Sequence, residues 1–194
     1  MTFLTESSNS SDWLRECALT RMLRQTMVTK PPIPTWIRLR RIRGAGRYRG
    51  DRQDSLISAA FAYSGDTCFE ILTPHDDVPS AYREYLERRP EGGLHHIAYF
   101  SDDIPGSIAS AAAAGARFDI VQEYIFPDSG EPYEVYMEPV GVDDPILVQL
   151  LLPGILADWF GQMRAAARDW DGSAPIRDAL ALMPPEMRPV SEPA

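Results

Sequence analysis

Hydrophobic and polar positions alternate through much of the second half of the chain, in runs short enough to be β-strands. Alternating or continuously apolar segments occupy residues 95–101, 118–124, 133–138 and 145–152, as expected of strands with one or both faces buried. An alanine-rich segment at residues 104–115 lies between the first two and ends in Gly115, a residue suited to the left-handed cap of a helix. The pattern predicts one module of strand, helix and three strands (βαβββ).

The first half has the same order with weaker signals. A strand-like piece at residues 3–6 precedes an amphipathic segment at 12–27, which predicts a helix with Asp12 as its N-cap. Three strands are expected at 35–42, 56–63 and 67–72, followed by a helix at 79–89. Two copies of one module indicate an internal duplication.

These elements predict an α+β fold in three parts. The first βαβββ module covers residues 1–90, the second covers 91–153, and a helical extension with a proline-rich tail covers 154–194. The apolar stripe of the extension, at about residues 155–170, is expected to pack on the outside of the paired modules or to cap a dimer.

Three short motifs lie on or beside the predicted strands, and they carry a family resemblance. With them the chain resembles the vicinal oxygen chelate superfamily, which includes glyoxalase I, methylmalonyl-CoA epimerase, bleomycin-resistance proteins and extradiol dioxygenases. The resemblance is clear from about residue 55 to residue 153 and is nearest to the epimerase-like members. It implies paired βαβββ modules whose sheets curl around a common cleft. The motifs are Phe69-Glu70-Ile71-Leu72-Thr73-Pro74, Gly93-Leu94-His95-His96-Ile97-Ala98 with Asp102-Asp103-Ile104, and Ile146-Leu147-Val148-Gln149-Leu150.

The resemblance also implies a divalent metal ion in the cleft, with one ligand from the first and the last strand of each module. It maps Glu70, His96 and Gln149 onto three ligand positions. Strand alternation agrees, because Glu70 and Gln149 share strand faces with apolar residues, where a polar group needs a partner. The same alternation predicts that only one side chain of the His95–His96 pair faces the cleft. An imidazole, a carboxylate and an amide oxygen suit Mn, Co, Ni, Fe or Zn.

The fourth ligand position is where the chain departs from the family. A His or Gln is expected near residue 5, but Thr5 stands there, and the adjacent Glu6 can serve only if the strand register shifts by one. The site then has Glu6 as its fourth ligand, has three ligands plus water, or has lost its metal. For His96 alone, a core histidine satisfied by hydrogen bonds is the competing interpretation.

The proton-transferring group is a second open question. In the epimerase and glyoxalase I a glutamate abstracts a proton next to a carbonyl, but the final strand here carries Gln149, which cannot accept that proton. The remaining candidates are Glu134, Tyr136 and Glu138, which share one face of a predicted strand. His75, in the loop after Pro74, is either a base at the mouth of the cleft or an exposed loop residue.

Charge is distributed unevenly along the chain. Residues 1–50 carry ten basic and three acidic side chains, whereas the whole chain of 194 residues has a net charge of −9. So acidic a main body makes nucleic acid a poor partner. The arginines between residues 38 and 49, with Arg38 and Arg40 as the candidate substrate-binding pair, either hold an anionic group of the substrate or form a solvated face paired with acidic residues.

Composition and cysteine spacing limit the class of protein and the compartment that we expect. With 44% hydrophobic residues the chain can bury a full core, and it contains no apolar run of the length that spans a membrane. The first residues lack the basic start and apolar core of a secretory signal. Cys17 and Cys68 lie far apart, which favours reduced thiols over a single disulfide. We expect a cytoplasmic protein with a small-molecule partner, and the family's habits imply a homodimer.

Three functions follow from these features. The first is a metal-dependent lyase or isomerase that acts on an oxygenated small molecule. The second is a metal-free, drug-sequestering protein that uses the same cleft. The third, a ring-cleaving dioxygenase, needs two His and one carboxylate on iron, and the predicted site has only one well-placed His.

Overall fold

The computed structural model describes residues 2–4 and 36–183 of the chain. The helix predicted at residues 12–27, the candidate ligand Glu6 and the proline-rich tail lie outside the described residues. The described strands are β1 (Thr2–Leu4), β2 (Trp36–Arg43), β3 (Gly46–Tyr48), β4 (Asp51–Gln53), β5 (Leu56–Ser64), β6 (Thr67–Pro74), β7 (Gly93–Phe100), β8 (Phe118–Ile125), β9 (Pro132–Pro139), β10 (Leu147–Leu151) and β11 (Ile176–Asp178). The described helices are α1 (Ala81–Arg88), α2 (Ile104–Ala113), α3 (Gly154–Arg168) and a short 3₁₀ helix (Leu180–Leu182).

All the described strands belong to one sheet in the order β11-β2-β5-β6-β1-β7-β10-β9-β8-β3-β4. The eight inner strands divide into two halves with the same internal order. One half is β1-β6-β5-β2 and the other is β7-β10-β9-β8. In each half the strand that comes first along the chain pairs in parallel with the one that comes last, β1 with β6 and β7 with β10. The predicted α+β fold of paired modules in a curled sheet is therefore confirmed, with the helix of the first module outside the described residues.

The two halves meet at β1 and β7, which pair antiparallel. Thr2 on β1 lies opposite His96 of β7 on one side and opposite Glu70 of β6 on the other. This short strand therefore brings the predicted ligand positions of both modules to one seam.

The second module follows the sequence pattern closely. The Asp103 carboxylate caps α2 by accepting the Gly106 N–H at 2.9 Å, and Gly115, at a φ of +90°, ends the helical segment. On β9, Val135 and Met137 pack with Ile104 of α2. Glu134 and Tyr136 alternate with them and consequently face the other side of the sheet.

The sequence led us to expect the C-terminal helix α3 on the outside of the paired modules, but the structure places it elsewhere. Trp159 and Met163 pack against Phe61 of β5 and Leu151 of β10. Phe61 is directly opposite Glu70 in the β5–β6 pair, so their side chains share one face of the sheet. An amphipathic stripe shows that a helix buries one side but not which face of a sheet receives it.

The arginine-rich stretch after β2 forms a hairpin, β3–β4. β3 pairs with β8 of the second module, and Arg49 forms ion pairs with Glu84 at 2.9 Å and Glu138 at 3.2 Å. Arg47 pairs with Glu123 at 3.4 Å. Opposite charges thus hold an insertion of the first module against the second.

Among the described helices, none has the length and hydropathy needed to cross a bilayer.

Candidate functional site

The two adjacent histidines of β7 turn to the same interior, contrary to the prediction that only one of them does. Both side chains are 0% exposed, and their Nδ1 atoms are 2.9 Å apart. The cause is a register shift, because Thr2 pairs with His96 whereas Phe3 pairs with Leu94. His95 is the extra residue of this bulge, and an extra residue interrupts the alternation of side chains between the two faces.

The hydrogen bonds of His95 fix which nitrogen of His96 carries a proton. Nε2 of His95 lies 3.3 Å from the Ala81 carbonyl, which can only accept, so this nitrogen is protonated. Burial lowers the pKa of His95 to about 3, so the ring is neutral and its Nδ1 is an acceptor. Nδ1 of His96 must then donate to it. Since burial also lowers the pKa of His96, its Nε2 carries only a lone pair.

This lone pair lies close to the carboxyl group of Glu70. His96 Nε2 lies 3.7 Å from Glu70 Oε2, and no group of the described residues donates a hydrogen bond to it. The Thr2 hydroxyl donates to the same Glu70 oxygen at 2.7 Å. Glu70 has a side chain that is 17% exposed. Burial raises its pKa from 4.5 to about 7, against the lowering effect of the Thr2 hydroxyl.

Gln149, on β10, borders His96 but has no hydrogen to offer it. Its amide nitrogen donates to Glu134 Oε1 at 2.6 Å and to the Tyr136 hydroxyl at 2.8 Å. An amide has two N–H hydrogens, and both are used. Burial raises the pKa of Glu134, and the hydrogen bonds from Tyr136 and Gln149 oppose that rise. The site therefore holds a second carboxyl group that takes up a proton more readily than an ordinary glutamate.

A chain of tyrosines extends the network from β9 through α1 to β8. The Tyr82 hydroxyl donates to that of Tyr136 at 3.0 Å and lies 3.1 Å from that of Tyr124. The sequence predicted the helix that carries Tyr82 but not that the Tyr82 hydroxyl reaches the site. Thr2 and Tyr124 were missed as well, because pairing across modules carries no local signal.

Glu70, His96, Gln149, Glu134 and Tyr136 are thus brought together, and the other predicted residues lie apart. Glu138 is held by its ion pair with Arg49. Arg38 alternates with the buried Ile37 and Leu39, so it belongs to the opposite face of β2. The described structure does not include Glu6 or the side chain of Arg40.

His75 also lies away from the site. Its Nε2 is 2.8 Å from the hydroxyl of Ser58, and Ser58 alternates with Ala59 and Phe61 on β5, so it belongs to the face turned away from Glu70. Burial and nearby Arg41 lower the pKa of His75. His75 is therefore a structural hydrogen-bonding residue beside Ser58 and a suitable control for changes at His96.

The residues of the site fit a divalent cation in one respect that the structure shows directly. A buried lone pair 3.7 Å from a carboxylate oxygen is what two ligands of one ion present, since each lies at about 2.0–2.2 Å from the metal. No group of three or more His, Cys, Asp or Glu side chains in residues 2–4 and 36–183 has the geometry of a metal site. The donor set reaches three only with the Gln149 amide oxygen.

Comparison with known proteins gives structural neighbours only. No family model matches the chain, and no curated protein matches it. A hypothetical protein from Bacillus halodurans is 15% identical, with 78% of this chain and 91% of that chain covered at a TM-score of 0.43. Methylmalonyl-CoA epimerase from Mycobacterium tuberculosis is 11% identical, with coverage of 79% and 86% and a TM-score of 0.41.

A mutant of 4-hydroxymandelate synthase from Streptomyces coelicolor is 14% identical, and 78% of this chain covers 46% of that enzyme at a TM-score of 0.41. The neighbours thus include an epimerase of the class that the sequence motifs resemble. At such identities and TM-scores the likeness says nothing of activity or substrate. The paired-module fold instead rests on the strand order of this chain itself.

Proposed function

We propose that this protein is a metal-dependent lyase or isomerase of the vicinal oxygen chelate type that acts on an oxygenated small molecule. His96 Nε2, the Glu70 carboxylate and the Gln149 amide oxygen would hold the divalent cation. The observation that carries the proposal is the Nε2 lone pair, which is buried beside a carboxyl group and receives no hydrogen bond from the described residues. An unsatisfied buried polar group costs about 1–3 kcal/mol, and a cation removes that cost.

The surrounding residues suit proton transfer. A bound cation would supply Lewis-acid polarisation of the substrate oxygens. Glu134, whose pKa is raised by burial, is the group we assign as the general base for a proton next to a carbonyl. Gln149 and Tyr136 hold its carboxylate through hydrogen bonds, which fixes its direction. Glu134 replaces, from the neighbouring strand, the glutamate that the final strand lacks.

A specific observation supports the metal-free alternative. With a pKa of about 7, the Glu70 carboxyl is partly protonated at neutral pH and can donate its own proton to His96 Nε2 after a small approach from 3.7 Å. This closes the network without a cation. A dioxygenase is disfavoured, because both ring nitrogens of His95 already form hydrogen bonds.

Metal analysis of untagged protein tests the proposal. We expect about one equivalent of Mn, Co, Ni, Fe or Zn in the wild type, loss of this metal in His96→Ala, and its retention in His75→Ala. The His75→Ala variant removes an imidazole that bonds to Ser58 on the other face of the sheet, so it controls for the loss of any histidine. A wild type that stays metal-free after reconstitution with each ion would overturn the proposal.

The reaction class has its own test. We expect the reconstituted protein to exchange protons next to the carbonyl for deuterium in members of a panel of 2-oxo acids and acyl thioesters, measured by NMR in D₂O. Glu134→Gln should abolish the exchange, and Glu138→Gln should retain it, since the Glu138 carboxylate is engaged in an ion pair with Arg49. Equal loss in both variants would contradict the assignment of Glu134 as the base.

A further inference from the structure

We infer that His95 is a positioning residue, which holds His96 in the tautomer and ring orientation that leave Nε2 free to bind a cation. Its importance for metal binding rests on the proposed function, whereas the tautomer itself is a property of the protein without metal. The inference assigns a role to the first histidine of the pair, beyond that of a buried residue that fills space.

The contact between the two histidine rings is direct. Nδ1 of His96 lies 2.9 Å from Nδ1 of His95, and this is the hydrogen bond that the described residues offer to that nitrogen. Tyr136 approaches His96 as an edge-to-face ring pair with centroids 4.9 Å apart, while its hydroxyl bonds with Gln149 and Tyr82. The direction of the His96 proton is thus set by His95.

His95 is itself fixed from the far side of its ring. Its Nε2 donates to the carbonyl of Ala81, the first residue of α1. The Ala81 N–H in turn donates to Gln122 Oε1 of β8 at 2.9 Å. A chain of hydrogen bonds therefore runs from β8 through the start of α1 to His95 and then to His96. Partners of this kind, one step removed from the metal, orient ligands in known sites and typically change metal affinity about 10–100-fold when they are removed.

The shape of the histidine ring explains why this residue type is needed. Imidazole can accept at one nitrogen and donate at the other, on opposite sides of a flat ring. An edge-to-face contact with Tyr85, at 5.1 Å between centroids, and a tilted contact with Tyr82, at 5.5 Å, hold the ring in place. Phenylalanine at this position would keep much of the packing but neither hydrogen bond, and glutamine would keep an acceptor for His96.

The experiment uses ¹⁵N-histidine NMR of the metal-free protein together with metal titrations of the same samples. In the wild type we expect His96 to be protonated at Nδ1 and unprotonated at Nε2. In His95→Phe the proton should move to Nε2, where the Glu70 carboxylate can accept it, and metal affinity should fall about 10–100-fold. His95→Gln should restore the Nδ1 tautomer and most of the affinity. His75→Phe should alter neither reading, and far-UV circular dichroism confirms the folding of each variant.

The outcomes separate this inference from the proposed function. Nε2 protonation of His96 in the wild type would overturn the inference even if no His95 variant folds, and so would an unchanged tautomer and affinity in His95→Phe. A His95 that merely fills the core would lower stability without moving the His96 proton. A wild type with the expected tautomer but no affinity for any ion would instead refute the metal-dependent function and leave the positioning role standing.

Discussion

Replacing Glu70 by glutamine should stabilise the metal-free protein at alkaline pH. The folded carboxyl has a pKa raised from 4.5 to about 7, mainly because burial disfavours its charge. The folded state therefore binds more protons than the unfolded state between these values, and stability falls as the pH rises through that window. From pH 5 to pH 8.5 the linkage relation gives a loss of about 2.5 kcal/mol from this group alone. Glutamine has no charge to bury and does not share the loss.

The assay is urea unfolding of wild type and Glu70→Gln at pH 5 and pH 8.5 in the presence of a chelator. Other titrating groups are common to both proteins, and those that do not interact with Glu70 cancel in the difference at each pH. We expect the stability of Glu70→Gln relative to wild type to improve by about 2.5 kcal/mol between the two conditions. The control, Glu138→Gln, loses only a partly exposed ion pair with Arg49 and should change by less than about 1 kcal/mol. If the difference in unfolding free energy between Glu70→Gln and wild type does not change with pH, Glu70 is not a buried carboxyl with a raised pKa.

Three further changes probe the network and the core around it. Tyr82→Phe removes the hydroxyl between Tyr136 and Tyr124 and should cost about 1–3 kcal/mol in urea unfolding; no change would show that these hydroxyls find other partners. Thr2→Val removes the hydrogen bond to Glu70 and should raise the pKa of Glu70 further in a ¹³C NMR titration. Thr2→Ser keeps the hydroxyl and should leave the pKa of Glu70 unchanged. Trp159→Ala should lose about 3–5 kcal/mol in thermal and urea unfolding, because Trp159 packs under β5 with Phe61; a near-neutral change would mean that α3 is not part of the core.

Much of the site could be predicted because the family resemblance mapped Glu70, His96 and Gln149 onto three ligand positions. Strand alternation, which is a local rule, agreed with that mapping, since residues two apart on one strand share a face. The second module was the clearest for the same reason, since each of its strands carries its own period and its helix carries its own cap at Asp103.

What the sequence did not show depends on contacts between distant segments. The bulge at His95 arises from pairing with β1, about ninety residues earlier in the chain, and nothing near His95 marks it. Thr2 reaches Glu70 and His96 only because β1 lies between β6 and β7. Likewise, the apolar stripe of α3 indicated which side of the helix is buried. It did not indicate that this side packs on the face of the sheet that carries the site, because that depends on tertiary contacts.

The most direct measurement is a crystal structure of the protein soaked with Co²⁺ or Mn²⁺, with anomalous data collected at the absorption edge of the ion. The proposed site requires one strong anomalous peak about 2.0–2.3 Å from His96 Nε2 and from a Glu70 carboxylate oxygen, with the Gln149 amide oxygen as the third ligand. The contradicting result is a map without a peak at His96, in which Nε2 and the Glu70 carboxyl have closed to hydrogen-bonding distance.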